Sequence, residues 1–136
     1  MATKNNNERL LKDIKSEIER YIRQCEDTIS HAMNYVATEY DYFFRWYAIE
    51  VFINTERVKY FKAMLEESDF KNAEVLEAQI SNRITNCERA ILNTPLLETR
   101  TDELRTIADR LEIESKRSIL KELNYVNLNF ANQERE

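Results

Sequence analysis

The most restrictive feature of this sequence is that its 136 residues include no glycine and only one proline, Pro95. A chain of this length with average usage carries about nine glycines. Glycine supplies the positive-φ residues of tight hairpins and the close backbone approach of phosphate-binding loops. A chain without glycine is therefore poorly suited to hairpin-rich sheets and to glycine-rich nucleotide sites. We predict an all-α protein.

The composition indicates one folded domain over residues 1–136. Hydrophobic residues make up 43% of the chain and charged residues 33%, which is typical of a globular or coiled-coil protein and not of a disordered one. The length is enough to bury a substantial core. No internal repeat or linker divides the sequence.

Apolar residues recur every three or four positions, which is the period of an amphipathic helix. The pattern predicts four helices, at about 7–38, 41–66, 70–92 and 95–123. The inward positions outside the second helix are Leu10, Ile14, Ile18, Ile22, Cys25, Ile29, Ala32, Val36, Ala73, Leu76, Ile80, Ile84, Cys87, Ile91, Leu97, Leu104, Ala108, Leu111, Ser115, Ile119 and Leu123. The tail 124–136 begins by alternating polar and apolar residues, so we expect it to be partly extended or frayed.

Two helix starts carry recognisable caps. Thr94 followed by Pro95 predicts the N-cap and first residue of the fourth helix, and 101–103 is an alternative start. Ser68 or Asp69 is the expected cap of the third helix.

Four helices with short connections predict a four-helix bundle, antiparallel and up-down-up-down. The boundary at 38–41 contains no glycine or proline. An alternative therefore stays open, in which the first two helices form one long helix within a coiled-coil-like oligomer.

The second helix is unusually aromatic, because nine of the chain's fourteen aromatic residues lie between Tyr40 and Phe61. A bundle helix needs one apolar stripe, and this helix has two. The first stripe is Phe44, Tyr47, Val51, Asn54, Val58, Phe61 and Leu65. The second stripe is Tyr42, Trp46, Ile49, Ile53, Tyr60 and Met64.

A helix that is apolar nearly all round must be buried nearly all round. The second stripe therefore either joins the core of this chain or contacts another molecule. We predict a contact with a protein partner or with further copies of this chain, since Tyr and Trp are enriched at interfaces. A carboxylate among aromatic residues needs a partner, so Glu50 and Arg57 are predicted to form a buried polar pair.

The charge pattern argues against nucleic acid as the partner. The net charge of −5 is spread along the chain without a basic stripe. Four basic residues between positions 41 and 69 are offset by six acidic ones, although aromatic stacking platforms need a basic surround. A nucleic-acid-binding helical module stays open as an alternative function.

No catalytic, metal or cofactor site is predicted. The only histidine, His31, has Asp27 one turn away and no further ligand at suitable spacing, so most histidine-based acid–base schemes are excluded. A metal-dependent all-α enzyme of the nucleotide pyrophosphohydrolase type remains an alternative through Glu66, Glu67 and Asp69, although the upstream Glu-Glu-x-x-Glu motif of such enzymes is missing.

Cysteine spacing and hydropathy bear on where such a chain resides. Cys25 and Cys87 are 62 positions apart, each on an apolar stripe, which predicts two small buried hydrophobes and reduced thiols. The first residues lack the apolar run of a signal peptide, and the run 42–53 is too short to cross a bilayer. We expect a cytoplasmic or intravirion protein that is not secreted and does not span a membrane.

These observations predict a non-enzymatic structural or adaptor protein that acts through its aromatic helix. The chain is rich in Asn, Ile, Lys and Tyr, which is typical of AT-rich genomes. Together with its size and acidity, this composition suggests a phage virion component, or an accessory or inhibitor protein of a phage or bacterium.

Overall fold

The computed structural model describes the backbone of residues 4–38, 41–93 and 103–134, and the side chains of 7–34, 47–93 and 110–131. It is an all-α four-helix bundle, as the sequence predicts. The helices are α1 (Lys4–Thr38), α2 (Asp41–Glu67), α3 (Ala73–Asn93) and α4 (Glu103–Glu134). In the described ranges every other residue lies in the short connection between α2 and α3.

The first two helices pack against each other and do not form one continuous helix. In a straight helix, Tyr21 and Phe61 would be about 60 Å apart at 1.5 Å per residue. Their ring centroids lie 5.2 Å apart in an edge-to-face contact. The alternative of a fused first and second helix is therefore wrong. The up-down-up-down order of all four helices stays a prediction.

The core is built from the apolar stripes of α1, α3 and α4, together with the C-terminal half of α2. The buried residues are Leu11, Ile14, Ile18, Ile22, Cys25 and Ala32 from α1, Phe61 and Met64 from α2, Leu76, Ile80 and Cys87 from α3, and Ile119, Leu123, Val126 and Phe130 from α4. Most of the positions predicted from the helical period lie here or pack against this core. Val36, Leu97, Leu104 and Ala108 lie outside the described side chains.

The third helix is capped later than predicted. The Asn72 side-chain oxygen accepts hydrogen bonds from the backbone N–H groups of Glu74 and Val75, at 3.0 and 3.2 Å. This is the geometry of an N-cap residue. Asp69 instead stabilises the preceding turn by accepting from the backbone N–H of Lys71 at 2.8 Å. The predicted caps Ser68 and Asp69 are therefore wrong.

The fourth helix begins at the alternative start and continues through the tail. It runs from Glu103 to Glu134, and the predicted Thr94–Pro95 start lies outside the described residues. The expectation of an extended tail is wrong. Alternation around residue 126 also fits a helical period, because Val126 and Phe130 are buried one turn apart while Leu128 is exposed.

Packing is uneven around the bundle. In the described part of the chain, α2 packs on α1 and α4, and α3 packs mainly on α4, with no close backbone approach between α2 and α3. A gap between two helices that share a third neighbour leaves a groove along that neighbour.

Candidate binding groove and polar junction

The second apolar stripe of α2 divides between the core and the surface. Met64 has no exposed surface and packs inside this chain, so it is not a contact residue, contrary to its predicted place on the interface. Tyr60 is half-buried against the same core, and Ile53 is half-buried further up α2. Ile49 is 39% exposed. Tyr42 and Trp46 belong to α2, but their side chains lie outside the described ones.

This division follows from the neighbours of α2. Its C-terminal half lies between α1 and α4, so residues of both stripes, such as Phe61 and Met64, are buried there. Nearer its N-terminal end, Ile49 and Phe52 both remain 39% exposed. Phe52 belongs to neither predicted stripe. The signal that could have identified it is the density of apolar residues between 42 and 53, which is more than two stripes can bury.

A groove of about 540 Å³ lies between α2, α3 and α4. Its apolar lining includes Phe52 and Tyr60 from α2, Cys87 from α3 and Ile119 from α4. The sequence did not indicate this groove, because its lining comes from three separated stretches of chain.

Three cations and two carboxylates line the groove. Arg83 and Lys116 are more deeply placed than their acidic partners, whereas Lys59, 72% exposed, is more exposed than its partner Glu56. Arg83 pairs with Glu67 at 2.8 Å, and the two side chains are 20% and 67% exposed. Lys116 pairs with Glu112 at 2.9 Å, and these side chains are 29% and 55% exposed. Arg83 also lies 5.3 Å from the centre of the Tyr60 ring, a favourable cation–π distance.

The polar groups on the floor of the groove are uncharged and internally bonded. The Cys87 thiol donates to the Lys116 carbonyl at 3.3 Å, and the Ser115 hydroxyl donates to the Leu111 carbonyl at 2.8 Å. Burial raises the pKa of the Cys87 thiol and of the Tyr60 hydroxyl, so both are neutral at neutral pH. The groove therefore combines a neutral floor with walls of mixed charge, in which Arg83 and Lys116 are the charged side chains set deepest.

A polar junction lies on the other side of α2. The Asn54 amide donates to the backbone oxygen of Glu50 at 2.8 Å and to its carboxylate at 3.3 Å. The Arg57 guanidinium donates to the Asn54 oxygen at 3.0 Å and to the Ser118 hydroxyl of α4 at 2.9 Å. Glu50 and Arg57 are thus connected through Asn54 in place of the predicted direct pair. Residues seven positions apart are about 10 Å apart along a helix, and the residue between them completes the chain of bonds.

Titratable groups of three helices meet beside Arg57. Its guanidinium carbon lies 5.9 Å from the centre of the Tyr21 ring. Burial raises the pKa of the Tyr21 hydroxyl and of the Cys25 thiol, so both are neutral at neutral pH. Burial, followed by the negative charge of Glu17, raises the pKa of Glu122 to about 7. The junction joins α1, α2 and α4, and such a network fixes how helices pack.

The residues that the sequence offered as candidates for metal binding or catalysis either make structural contacts or lie at the surface. Glu67 is occupied by Arg83, and Asp69 accepts the turn hydrogen bond described above. His31, Asp27 and Glu66 are exposed. Cys25 and Cys87 are free buried thiols, as predicted. Within the described residues no group of three or more His, Cys, Asp or Glu side chains is arranged to hold a metal ion.

The described helices are also not built to cross a membrane, since none of them is both long and apolar enough. The chain thus presents a groove with a neutral floor and two deeply set cations, an exposed apolar patch on α2 and an internal polar junction. No family model, no curated protein and no solved structure matches this chain.

Proposed function

We propose that this chain is a non-enzymatic structural or adaptor protein that acts through protein–protein contact of α2. The observation that carries the proposal is the apolar patch formed by Ile49 and Phe52, which are one turn apart and each 39% exposed. Residues three positions apart lie on one face of a helix, and aromatic side chains are enriched in interface cores. The sequence pattern extends this face toward Tyr42 and Trp46.

The charges of α2 support a protein partner over a nucleic acid. Arg57 points inward to Ser118 and Asn54. Lys59 and Lys62 are exposed, but each lies within 4 Å of a glutamate carboxylate, at 3.9 and 3.4 Å. Phosphate recognition needs an accumulation of unpaired cations, whereas a protein contact needs mainly apolar area with a polar rim.

The partner that we propose first is a second copy of this chain, in the setting of a phage virion or of a phage or bacterial accessory or inhibitor protein. The test is mass by light scattering over a range of concentrations. A dimer gives about twice 16.3 kDa, and Ile49→Glu should return it to the monomer mass because a charge within an apolar contact is strongly unfavourable.

Tyr125→Glu is the matched control, since Tyr125 is an exposed aromatic residue of α4 and 55% accessible. That variant should keep the wild-type mass. A wild-type mass of 16.3 kDa at every concentration would exclude a second copy as the partner. A dimer that survives Ile49→Glu would show that α2 is not the contact.

A further inference from the structure

The groove between α2, α3 and α4 has the dimensions of a small-molecule site. Its volume of about 540 Å³ falls within the range of roughly 300–1,000 Å³ found for ligand pockets. Its lining spans residues 52–60 of α2, 83–90 of α3 and 112–119 of α4. Each stretch is about two turns, or roughly 12 Å. The groove is therefore as long as a chain of about ten carbon atoms, and short for a partner helix.

The floor of the groove favours an apolar body. Phe52, Tyr60, Cys87 and Ile119 provide aromatic, thiol and aliphatic surface. The Cys87 thiol and the Ser115 hydroxyl already donate hydrogen bonds to backbone carbonyls, so neither needs an acceptor on a molecule that lies over it. Covering this surface removes apolar area from water, which is favourable in proportion to the area.

The walls favour one anionic group. Arg83 and Lys116 both line the groove and both act on its floor: the Arg83 guanidinium lies 5.3 Å from the centre of the Tyr60 ring, and the positive charge of Lys116 acts on the Cys87 thiol. A guanidinium has five N–H donors and an ammonium three. Arg83 uses one donor at Glu67 and also hydrogen-bonds the Tyr60 hydroxyl, and Lys116 uses one donor at Glu112, so each cation keeps further donors.

The two glutamates compete only weakly with an incoming anion. Glu67 and Glu112 are 67% and 55% exposed, whereas Arg83 and Lys116 are set deeper. Glu56, which also lines the groove, is 41% exposed and is paired with a lysine of its own helix. Ion pairs with exposed partners contribute little, and water readily replaces them. A carboxylate inside the groove would approach both cations from the less hydrated side, where a charge-assisted hydrogen bond is stronger.

We propose that this groove binds a small molecule with an apolar body and a single carboxylate, of the medium-chain fatty acid type. The apolar chain lies over Phe52, Tyr60 and Ile119, and the carboxylate accepts hydrogen bonds from Arg83 and Lys116. The groove shares Phe52 with the patch proposed for the protein contact, whereas its two deeply set cations lie on α3 and α4, outside that patch. Light scattering tests the contact and decanoate titration tests the groove, so either proposal can fail alone.

The test is calorimetric titration of the full chain with decanoate and, separately, with decanol. The two probes share their alkyl chain and differ in charge. Decanoate should bind at one site per chain, at least about tenfold more tightly than decanol, as expected for hydrogen bonds to charged groups. Equal affinities, or no saturable decanoate binding up to about 1 mM, would overturn the proposal.

A matched pair of double variants locates the anion contact. Arg83→Gln with Lys116→Gln removes the two deeply set cations of the three that line the groove, and Arg89→Gln with Lys121→Gln removes two exposed cations from the same helices. The first variant should bind decanoate and decanol equally, whereas the second should keep the wild-type preference. If both variants keep the preference, the proposal fails.

The position of the bound probe is checked on the wild-type chain, so the result does not depend on how the variants fold. Decanoate should shift the backbone amide NMR signals of 83–90 and 112–119 more than any others. Shifts concentrated instead near Tyr125 and Leu128, which are exposed apolar residues of α4, would overturn the proposal.

Discussion

Replacement of Glu122 by glutamine should stabilise the protein at neutral and alkaline pH. Glu122 of α4 faces Glu17, Arg20, Tyr21 and Cys25 of α1 and Arg57 of α2. Burial is the main reason that its pKa is raised from 4.5 to about 7, and Glu17 adds to it, while Arg20 and Arg57 act in the opposite direction. Above pH 7 the folded protein therefore contains a half-buried carboxylate that the unfolded chain would leave in water.

The direction of this pH dependence follows from the number of protons bound by the folded and unfolded states. Because the folded state holds this proton more tightly than the unfolded state does, folding takes up a proton between about pH 4.5 and 7. The favourable contribution of the protonated carboxyl is complete below about pH 4.5 and is lost as the pH rises through 7. The shift in pKa from 4.5 to about 7 corresponds to about 3 kcal/mol before solvent screening is considered. Solvent screening of a half-buried side chain reduces it to about 1 kcal/mol.

The assay is urea unfolding of wild type and Glu122→Gln at several pH values between 5 and 8.5. The free energy of unfolding of the variant should exceed that of the wild type by about 1 kcal/mol at pH 8, and the difference should fall to near zero at pH 5. Glu114→Gln is the control, since Glu114 is an exposed α4 residue paired with Arg117. The difference in free energy of unfolding between this variant and the wild type should not change with pH. A Glu122→Gln difference that is independent of pH, or a less stable variant at pH 8, would refute the reasoning.

Three further substitutions test the packing and the polar contacts by the same unfolding assay. Met64→Ala should cost about 2–5 kcal/mol because Met64 is fully buried, whereas Leu92→Ala, at an 82% exposed position, should change stability by less than about 0.5 kcal/mol. Asn54→Leu should cost about 2–3 kcal/mol, because it removes the side-chain oxygen that accepts a hydrogen bond from Arg57 and leaves that charge with one partner fewer. An unchanged free energy of unfolding would contradict the bridging role. Asn72→Ala should cost about 1 kcal/mol as a lost N-cap, and the same change at the exposed Asn82 of α3 should have little effect.

The helical architecture could be predicted because it depends on local properties of the sequence. The lack of glycine and the three-to-four period identify helices wherever they lie, and the stripe through Leu76 and Ile80 is buried as predicted. The period also placed Cys25 and Cys87 inside. The residues at which helices begin were harder to predict, because the turn before α3 contains several polar residues that could cap the helix, and the one that does so is Asn72.

The groove could not be predicted, and the junction only in part through Glu50 and Arg57, because each depends on residues far apart in the chain. Glu122 looks like an ordinary surface glutamate in the sequence, and its pKa is raised through burial and through Glu17 on another helix. Asn54 was assigned to an apolar stripe and given no role in the predicted Glu50–Arg57 pair, although it bonds both residues. Local periodicity shows which face of a helix is apolar but not which neighbour covers it.

The junction around Asn54 also divides α2 into two parts that respond differently to mutation. Toward the C-terminal end of the helix, Phe61 and Met64 have no exposed surface, so any change there acts on folding itself. Toward the N-terminal end, Ile49 and Phe52 remain 39% exposed, so a polar side chain there leaves the core packing of this chain largely unchanged. If α2 forms the proposed contact, Ile49→Glu should lower the mass of the assembly with little change in the monomer's free energy of unfolding. Met64→Ala should do the reverse, lowering the free energy of unfolding while the remaining folded chains still associate.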